Sequence, residues 1–317
     1  MSCSAAVCRW GRSGASCDGS AAEASPVTDT PVLRDDAVRL PGGPRLAVRR
    51  GPGAGRPFLL VHGLASNARL WDGVGRLLRE AGHEVVAVDL RGHGRSDQVD
   101  DGYSTDQNAD DLAALCVELG LTGDRAPIVA GQSWGGNVVV SLAARHGGVA
   151  ALALVDGGWI ALGDRFATFD ECWAALAPPV FESLSFASLP ARVRQWHPDW
   201  PEEGIAGTVA NFAEGLDGMA RPRLAREHHR EIVHSLWTGD PRPLYPRVTV
   251  PVLLAPAVRS DADDSDERRA TPAAAAAALP DARISWYVGA DHDLHAQQPA
   301  RLVSDLLELA SAVEGSG

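Results

Sequence analysis

Residues 127–136 read Pro-Ile-Val-Ala-Gly-Gln-Ser-Trp-Gly-Gly, and this stretch decides which fold the sequence predicts. The apolar run at 128–130 predicts a buried strand, and residues 137–145 predict a helix that follows at once. Between them lies the pattern Gly-x-Ser-x-Gly, centred on Ser133. A serine on a sharp turn from strand to helix exposes its Oγ at the carboxyl edge of a sheet. We therefore predict that Ser133 is a nucleophile; the alternative is an ordinary strand-to-helix turn.

Steric crowding explains why both flanking positions of this turn are glycine. A Cβ at Gly131 or Gly135 would collide with the strand and helix that flank the turn. Ser133 also stands at the predicted helix N-terminus, where free N–H groups favour developing negative charge.

Composition and charge exclude several classes of function. The chain has 317 residues, 45% hydrophobic and 22% charged, which suits one large α/β domain with an insertion. Its net charge of −12 argues against a nucleic-acid partner or an anionic membrane surface. All 29 basic residues are arginine, which excludes chemistry that needs a lysine, such as a Schiff base or a P-loop. No apolar run of about 18 residues predicts a membrane span.

The cysteines and the N-terminal segment predict a cytoplasmic protein without cofactor or metal. Five cysteines show no paired spacing, and no Cys/His cluster has the spacing of a zinc site. Residues 1–30 are rich in Ser, Ala and Gly and lack the apolar core of a signal peptide, so we predict a disordered tail.

Strand and helix patterns alternate along most of the chain. Predicted strands are 38–40, 46–50, 57–61, 84–90, 128–130, 150–155, 249–254 and 284–288. Predicted helices are 68–80, 106–119, 137–145, 267–279 and 299–313. The strands lack polar alternation, which is typical of strands covered on both faces. This order predicts an α/β fold with a doubly wound, mostly parallel sheet that binds ligands at its carboxyl edge.

Residues 157–246 interrupt this alternation with tryptophans and with short helical patterns broken by Pro and Gly. We predict a helical lid here, inserted after the sixth strand, with residues 31–156 and 247–317 forming the core. The aromatic content indicates an apolar pocket and a hydrophobic small-molecule substrate. An apolar edge of the lid could also pair across a two-fold axis in a homodimer.

A nucleophilic serine needs a base, and His292 is the predicted one. It follows the last predicted strand, so its imidazole would lie at the same sheet edge as Ser133. His295, three residues later, is the nearest alternative.

Two places can supply the acid that orients the base. Asp156 ends the sixth strand, where a rigid terminus can hold a carboxylate in a fixed geometry. The loop after the seventh strand offers Asp261, Asp263 and Asp264, but this charged run is typical of a solvated face. We favour Asp156 and keep the three loop aspartates as the alternative.

The predicted donors to an oxyanion are two backbone N–H groups. Leu64 follows the third strand and Trp134 follows the nucleophile directly. His62 is interpreted as a loop anchor, and the loop 89–97 as scaffold.

These motifs together resemble the α/β-hydrolase fold family over about residues 32–313. They are Val61-His62-Gly63, Asp89-Leu90-Arg91-Gly92-His93-Gly94-Arg95-Ser96, Gly131-Gln132-Ser133-Trp134-Gly135-Gly136, Leu154-Val155-Asp156 and Gly289-Ala290-Asp291-His292. The resemblance implies the same nucleophile, base and oxyanion donors, and a helical cap. Most relatives carry the acid in a Gly-Asp-x-Asp loop, where this chain has Pro256-Ala257-Val258-Arg259-Ser260. A minority place it after the sixth strand, which matches Asp156.

Serine at the elbow excludes relatives that need a carboxylate nucleophile, such as epoxide hydrolases and haloalkane dehalogenases. We predict a hydrolase of carboxylic esters or lactones that forms an acyl-enzyme. A carbon–carbon hydrolase or a perhydrolase could use the same three residues. In a different class, a ligand-binding protein could keep the fold with a silent site.

Overall fold

Eight strands form one mostly parallel sheet in the computed structural model, which describes residues 33–179, 184–258 and 266–315. Along the sheet the order is β1-β2-β4-β3-β5-β6-β7-β8. The strands are β1 Arg34–Arg39, β2 Arg45–Gly51, β3 Gly55–Val61, β4 His83–Val88, β5 Ile128–Gln132, β6 Ala151–Val155, β7 Val252–Ala255 and β8 Ala282–Ile284. Only β2 pairs antiparallel, with β1 and β4. The predicted α/β fold is confirmed; the predicted tail, residues 1–30, lies outside the described residues.

Helices cover both faces of this sheet and also form most of the segment between β6 and β7. They are α1 Asp72–Glu80, α2 Thr105–Glu118, α3 Trp134–His146, α4 Phe169–Leu176, α5 Leu189–Trp196, α6 Glu202–Val209, α7 Arg226–Thr238, α8 Asp266–Ala278, α9 Leu294–Gln297 and α10 Pro299–Glu314. None of those described is both long and apolar enough to cross a bilayer.

Successive residues of β3 show why the core has two halves. Phe58 and Leu60 join the core under α1 and α10, whereas Leu59 and Val61 join the core under α2 and α3. All four side chains are completely buried. Because side chains alternate along a strand, both faces must be apolar in a sheet that is covered twice.

The last strand of the main sheet begins earlier than the predicted 284–288, and only Ile284 belongs to both. The main sheet ends at Ile284, and Tyr287–Val288 pairs separately with Ala257–Val258. Pro256 causes the break, since it has no N–H to continue the ladder after β7. Its carbonyl still accepts a hydrogen bond from the Tyr287 N–H at 3.0 Å. The break brings residues 289–292 toward the end of β6.

Helices α4 to α7 and a hairpin of Phe212–Glu214 with Ala220–Pro222 lie between β6 and β7. This segment, residues 157–246, is called the insertion below. Helix α4 packs on α7, and α6 packs on the short 3-10 helix Ala68–Trp71 that follows β3. The insertion is thereby connected to the core next to the carboxyl ends of the strands.

A buried ion pair fixes the loop after β4 to α2. Arg91 donates from Nε and Nη2 to the two carboxylate oxygens of Asp111, both at 2.7 Å. The side chains are only 7% and 6% exposed. Charges removed from water to this degree depend on each other, because neither has solvent to replace its partner.

We expect Asp111→Ala to lower the free energy of unfolding by about 3–5 kcal/mol, because it leaves the buried Arg91 guanidinium without its carboxylate partner. The matched control is Asp110→Ala, which removes a carboxylate that is 37% exposed and pairs with Arg145. That change is expected to cost about 1 kcal/mol or less. Urea unfolding measured at neutral pH compares the two. Equal losses would show that the Arg91 pair contributes no more than a surface pair.

Candidate active site

Ser133 occupies a strained turn between β5 and α3. Its φ of 53° and ψ of −124° lie in a region that residues with a side chain rarely adopt. The turn is held on both sides, since the Ser133 N–H donates to Val155 O and the Gly136 N–H donates to Ser133 O, each at 2.9 Å. The sharp Gly-x-Ser-x-Gly turn predicted from the sequence is therefore present.

Glycines surround this turn because no side chain fits there. A Cβ on Gly131 would overlap the carbonyl of Gly135, and a Cβ on Gly135 would overlap the carbonyl of His62. A Cβ on Gly157 would overlap the Ser133 backbone, and one on Gly63 would lie 2.9 Å from the Ser133 Cβ. The predicted crowding at Gly131 and Gly135 is confirmed, and three strand ends meet at van der Waals distance around Ser133.

Backbone strain is concentrated at the same edge. Among the described residues, three besides glycine have a positive φ: Ala65 at 57°, Ser133 at 53° and Asp156 at 43°. They follow the ends of β3, β5 and β6, respectively. Conformations of this kind persist only where the surroundings enforce them, and they cluster at functional sites.

His292 contacts Asp156, the acid favoured from the sequence. Its Nδ1 lies 2.6 Å from Asp156 Oδ2, while Asp156 Oδ1 accepts a hydrogen bond from the Ala257 N–H at 3.0 Å. A carboxylate only accepts, so Nδ1 carries the proton and Nε2 is left as the basic nitrogen. The alternative acids Asp261, Asp263 and Asp264 lie outside the described residues.

Two residues that the sequence did not single out hold the His292 loop. Gln132, the residue before Ser133, donates from Nε2 to His292 O at 3.2 Å. Trp200, from the insertion, donates from Nε1 to Asp291 Oδ2 at 3.0 Å. Gln132 could have been found as the variable position of the motif; nothing in the sequence distinguishes Trp200 from the other tryptophans of the insertion.

His295, the alternative base, lies inside the core. Its side chain is completely buried against the Trp71 ring, with 4.4 Å between ring centroids. Neither ring nitrogen has a hydrogen-bond partner in the part of the chain that the structure describes. Burial lowers the pKa of His295 to about 3, so the imidazole is neutral at physiological pH. The structure therefore brings His292, and not His295, to Asp156.

The N–H groups of Leu64 and Trp134 are both available. Among the described residues neither donates to a protein acceptor. Leu64 follows β3, and Trp134 is the first residue of α3, where helical N–H groups lack internal partners. The Trp134 indole is buried and donates to Thr105 Oγ1 at 3.1 Å, so only its backbone faces the turn.

Two buried histidines hold the Leu64 loop in place. His62 donates from Nδ1 to Gly63 O at 2.7 Å and accepts from the Leu90 N–H at 3.0 Å. His93 accepts from the Ala65 N–H at 3.3 Å, so the loop 89–97 supports the Leu64 loop directly. Burial lowers the pKa of His62 and takes that of His93 well below its ordinary value. Both rings therefore stay neutral and keep one nitrogen as an acceptor.

Nothing in the described residues suggests a metal centre at this edge, since no group of three His, Cys, Asp or Glu side chains is arranged to hold an ion. The arrangement that does occur is a serine on a strained turn, a histidine–carboxylate pair and two available N–H groups. Such a set can transfer an acyl group without a metal.

Residues 58–306 match the model of the family described as "Alpha/beta hydrolase family". The chain belongs to this family. Like its relatives, this alpha/beta hydrolase has a mostly parallel sheet of eight strands between helices. Membership supports a hydrolase and leaves the bond it cleaves to be proposed.

Proteins named for different activities resemble this alpha/beta hydrolase. A non-heme chloroperoxidase of Streptomyces lividans is 32% identical over 81% of this chain and 92% of its own length. A non-heme haloperoxidase of Rhodococcus erythropolis is 42% identical over 30% of this chain, a match that spans only 34% of that protein. Among solved structures, E-2-(acetamidomethylene)succinate hydrolase has a TM-score of 0.71 at 24% identity, covering 88% of this chain and 100% of its own.

We expect acid to destabilise this protein through His295. Its pKa is about 3 when folded and about 6.5 when unfolded, so below about pH 6.5 the unfolded chain binds a proton that the folded chain excludes. Between about pH 7 and pH 5 this costs about 2 kcal/mol of stability. His295→Leu should remove that part of the loss, measured by urea unfolding at both pH values. An unchanged pH dependence would mean that the buried imidazole does not resist protonation.

Proposed function

We propose that this alpha/beta hydrolase cleaves a carboxylic ester or lactone of a hydrophobic small molecule through a serine acyl-enzyme. The 2.6 Å contact between His292 Nδ1 and Asp156 Oδ2, at the sheet edge where Ser133 forms its turn, carries the proposal. This contact orients the imidazole so that Nε2 can act as the base, which is what a serine nucleophile requires.

In the first half of the reaction, His292 Nε2 takes the Ser133 hydroxyl proton while Oγ attacks the substrate carbonyl. The oxygen of the tetrahedral intermediate accepts hydrogen bonds from the Leu64 and Trp134 N–H groups, each typically worth about 3 kcal/mol in the transition state. His292 then gives its proton to the leaving alcohol oxygen, and the carbon–oxygen bond breaks. The Asp156 carboxylate stabilises the imidazolium that forms between these steps.

In the second half, water replaces the alcohol. His292 takes a proton from the water, and the resulting hydroxyl attacks the acyl carbon. The same two N–H groups hold the second tetrahedral intermediate. As it collapses, His292 returns its proton to Ser133 Oγ, which restores the Ser133 hydroxyl and releases the carboxylic acid. The strained turn is useful in both halves because it holds the nucleophile in place and avoids reorganisation during reaction.

The insertion supports a hydrophobic substrate. It contains half-buried aromatic side chains that pack against the hydrophobic core, namely Trp159, Phe166, Phe169 and Trp173. We propose that the insertion acts as a lid and that these rings offer apolar surface to the acyl or alcohol group. The name of one relative supports a hydrophobic substrate: a lipase LipV of Mycobacterium tuberculosis is 39% identical over 34% of this chain and 40% of its own length.

Labelling with a fluorophosphonate, followed by peptide mass spectrometry, tests this function. We expect one adduct, on Ser133, and a labelling rate at least about a hundredfold lower in Asp156→Asn, because the base loses its orienting carboxylate. Asp261→Asn is the matched control and is expected to label at the wild-type rate. Loss of labelling in Asp261→Asn alone would move the acid to the loop. Folded wild-type protein that does not react would favour a silent ligand-binding site.

A perhydrolase is the second candidate, and it is favoured by the relatives with haloperoxidase names. In addition, a bifunctional esterase/perhydrolase DCH of Acinetobacter calcoaceticus is 38% identical over 30% of this chain and 34% of its own length. The chemistry needs no further residue, since hydrogen peroxide can attack the acyl-enzyme in place of water. The acyl group is then transferred to peroxide and released as the peracid.

Partition of the acyl-enzyme between water and peroxide decides between the two candidates. With an aryl acetate at fixed concentration, added hydrogen peroxide should leave phenol release nearly unchanged if water remains the main acceptor. Peracetic acid, measured by its oxidation of bromide, would then account for a small fraction of turnover. Peracid formed in near-equal amount to phenol would identify the perhydrolase. Ser133→Ala should form neither product, since both depend on the acyl-enzyme.

A further inference from the structure

A charged groove of about 410 Å³ lies between the β1–β2 edge of the sheet and the insertion. None of Ser133, His292 and Asp156 lines it. Five arginines and three aspartates do, although the whole chain carries a net charge of −12. The arginines are Arg45, Arg49, Arg69, Arg95 and Arg223. Arg45 pairs with Asp97 and Arg49 with Asp72, so the positive charge that an anion would complement is that of Arg69, Arg95 and Arg223.

One carboxylate, that of Asp35, is shared by three guanidinium groups in this groove. Arg49, Arg69 and Arg95 all donate to it, Arg69 from Nη2 at 2.8 Å and Arg95 from Nη1 at 2.7 Å. Arg49 has a second acid, because its Nε donates to Asp72 at 2.6 Å. Arg69 and Arg95 therefore donate to the same oxygen of Asp35, and their heads are held within a short distance of each other.

Arg223 brings a further positive charge from the insertion. Its Nε donates to Ala210 O at 3.1 Å and its Nη1 to Gly94 O at 3.4 Å. It forms no ion pair with any residue in the described part of the chain. These two carbonyls orient the guanidinium and leave its full charge at the groove. Arg223 thus lines the groove from the insertion, together with Arg69 and Arg95 from the core.

We propose that this groove binds a small organic molecule through a phosphate or carboxylate group held by Arg69, Arg95 and Arg223. Guanidinium forks match the oxygens of these two groups, and the volume suits a small ligand and not merely a single ion. Asp35 acts as the internal competitor, since its carboxylate occupies the donors that the ligand would use. The binding would join insertion and core, and it does not depend on the proposed ester chemistry.

Isothermal titration with phenyl phosphate and with benzoate, at constant ionic strength and neutral pH, tests the site. We expect phenyl phosphate to bind, with at least about fivefold weaker affinity in Arg223→Gln. Arg283→Gln, which removes an exposed arginine paired with Glu308, is the matched control and should bind as the wild type does. Tighter phenyl phosphate identifies the phosphate group and tighter benzoate the carboxylate. No binding of either by the wild type overturns the proposal.

Asp35→Asn gives the result that a purely structural ion-pair cluster would not give. Removing the competing carboxylate should tighten phenyl phosphate binding by at least about threefold, because Arg69 and Arg95 then lack their shared anion. Glu308→Gln makes the same change of charge at a distant exposed pair and should leave the affinity unchanged. Thermal unfolding shows that each variant is folded. Unchanged or weaker binding in Asp35→Asn, or equal tightening in Glu308→Gln, overturns the proposal.

Discussion

The close approach of three strand ends around Ser133 is the constraint on which the rest of the structure depends. Gly63, Gly135 and Gly157 each lie where a Cβ would strike a neighbouring backbone or Ser133 itself. This packing leaves the turn no room to relax, so the positive φ of Ser133 is enforced by its surroundings. It also places the Leu64 loop, the α3 N-terminus and the end of β6 within one small volume, which is the requirement for acyl transfer.

Neutral buried histidines stabilise this arrangement. His62 and His93 each use one nitrogen to accept a backbone N–H, and an imidazolium could not do so. Burial keeps both rings neutral by lowering their pKa. The pattern Arg91-Gly-His-Gly after β4 is therefore a support for the Leu64 loop. A charged side chain such as lysine could not replace His93, because it has no acceptor.

The insertion supports both loops of the candidate site. Trp200 bonds to Asp291, next to His292, while Asn67, after the Leu64 loop, donates to Gly207 O at 2.8 Å. Helix α6 lies between these two contacts, and Gly207 packs directly on the backbone of Leu70. Movement of α6 would therefore disturb both the His292 loop and the Leu64 loop, and the charged groove borders the same segment through Ala210. The insertion is therefore connected by hydrogen bonds to both loops of the candidate site.

The sequence by itself determined the alternation of strands and helices, the serine turn and the position of His292, because these follow from local periodicity and from the small size of glycine. Only the tertiary structure decided that Asp156 meets His292, since the two lie 136 residues apart and strand order brings them together. The burial of His295 likewise depends on packing against Trp71. Local sequence determines where a strand ends, but which strand ends become neighbours depends on the strand order of the whole sheet.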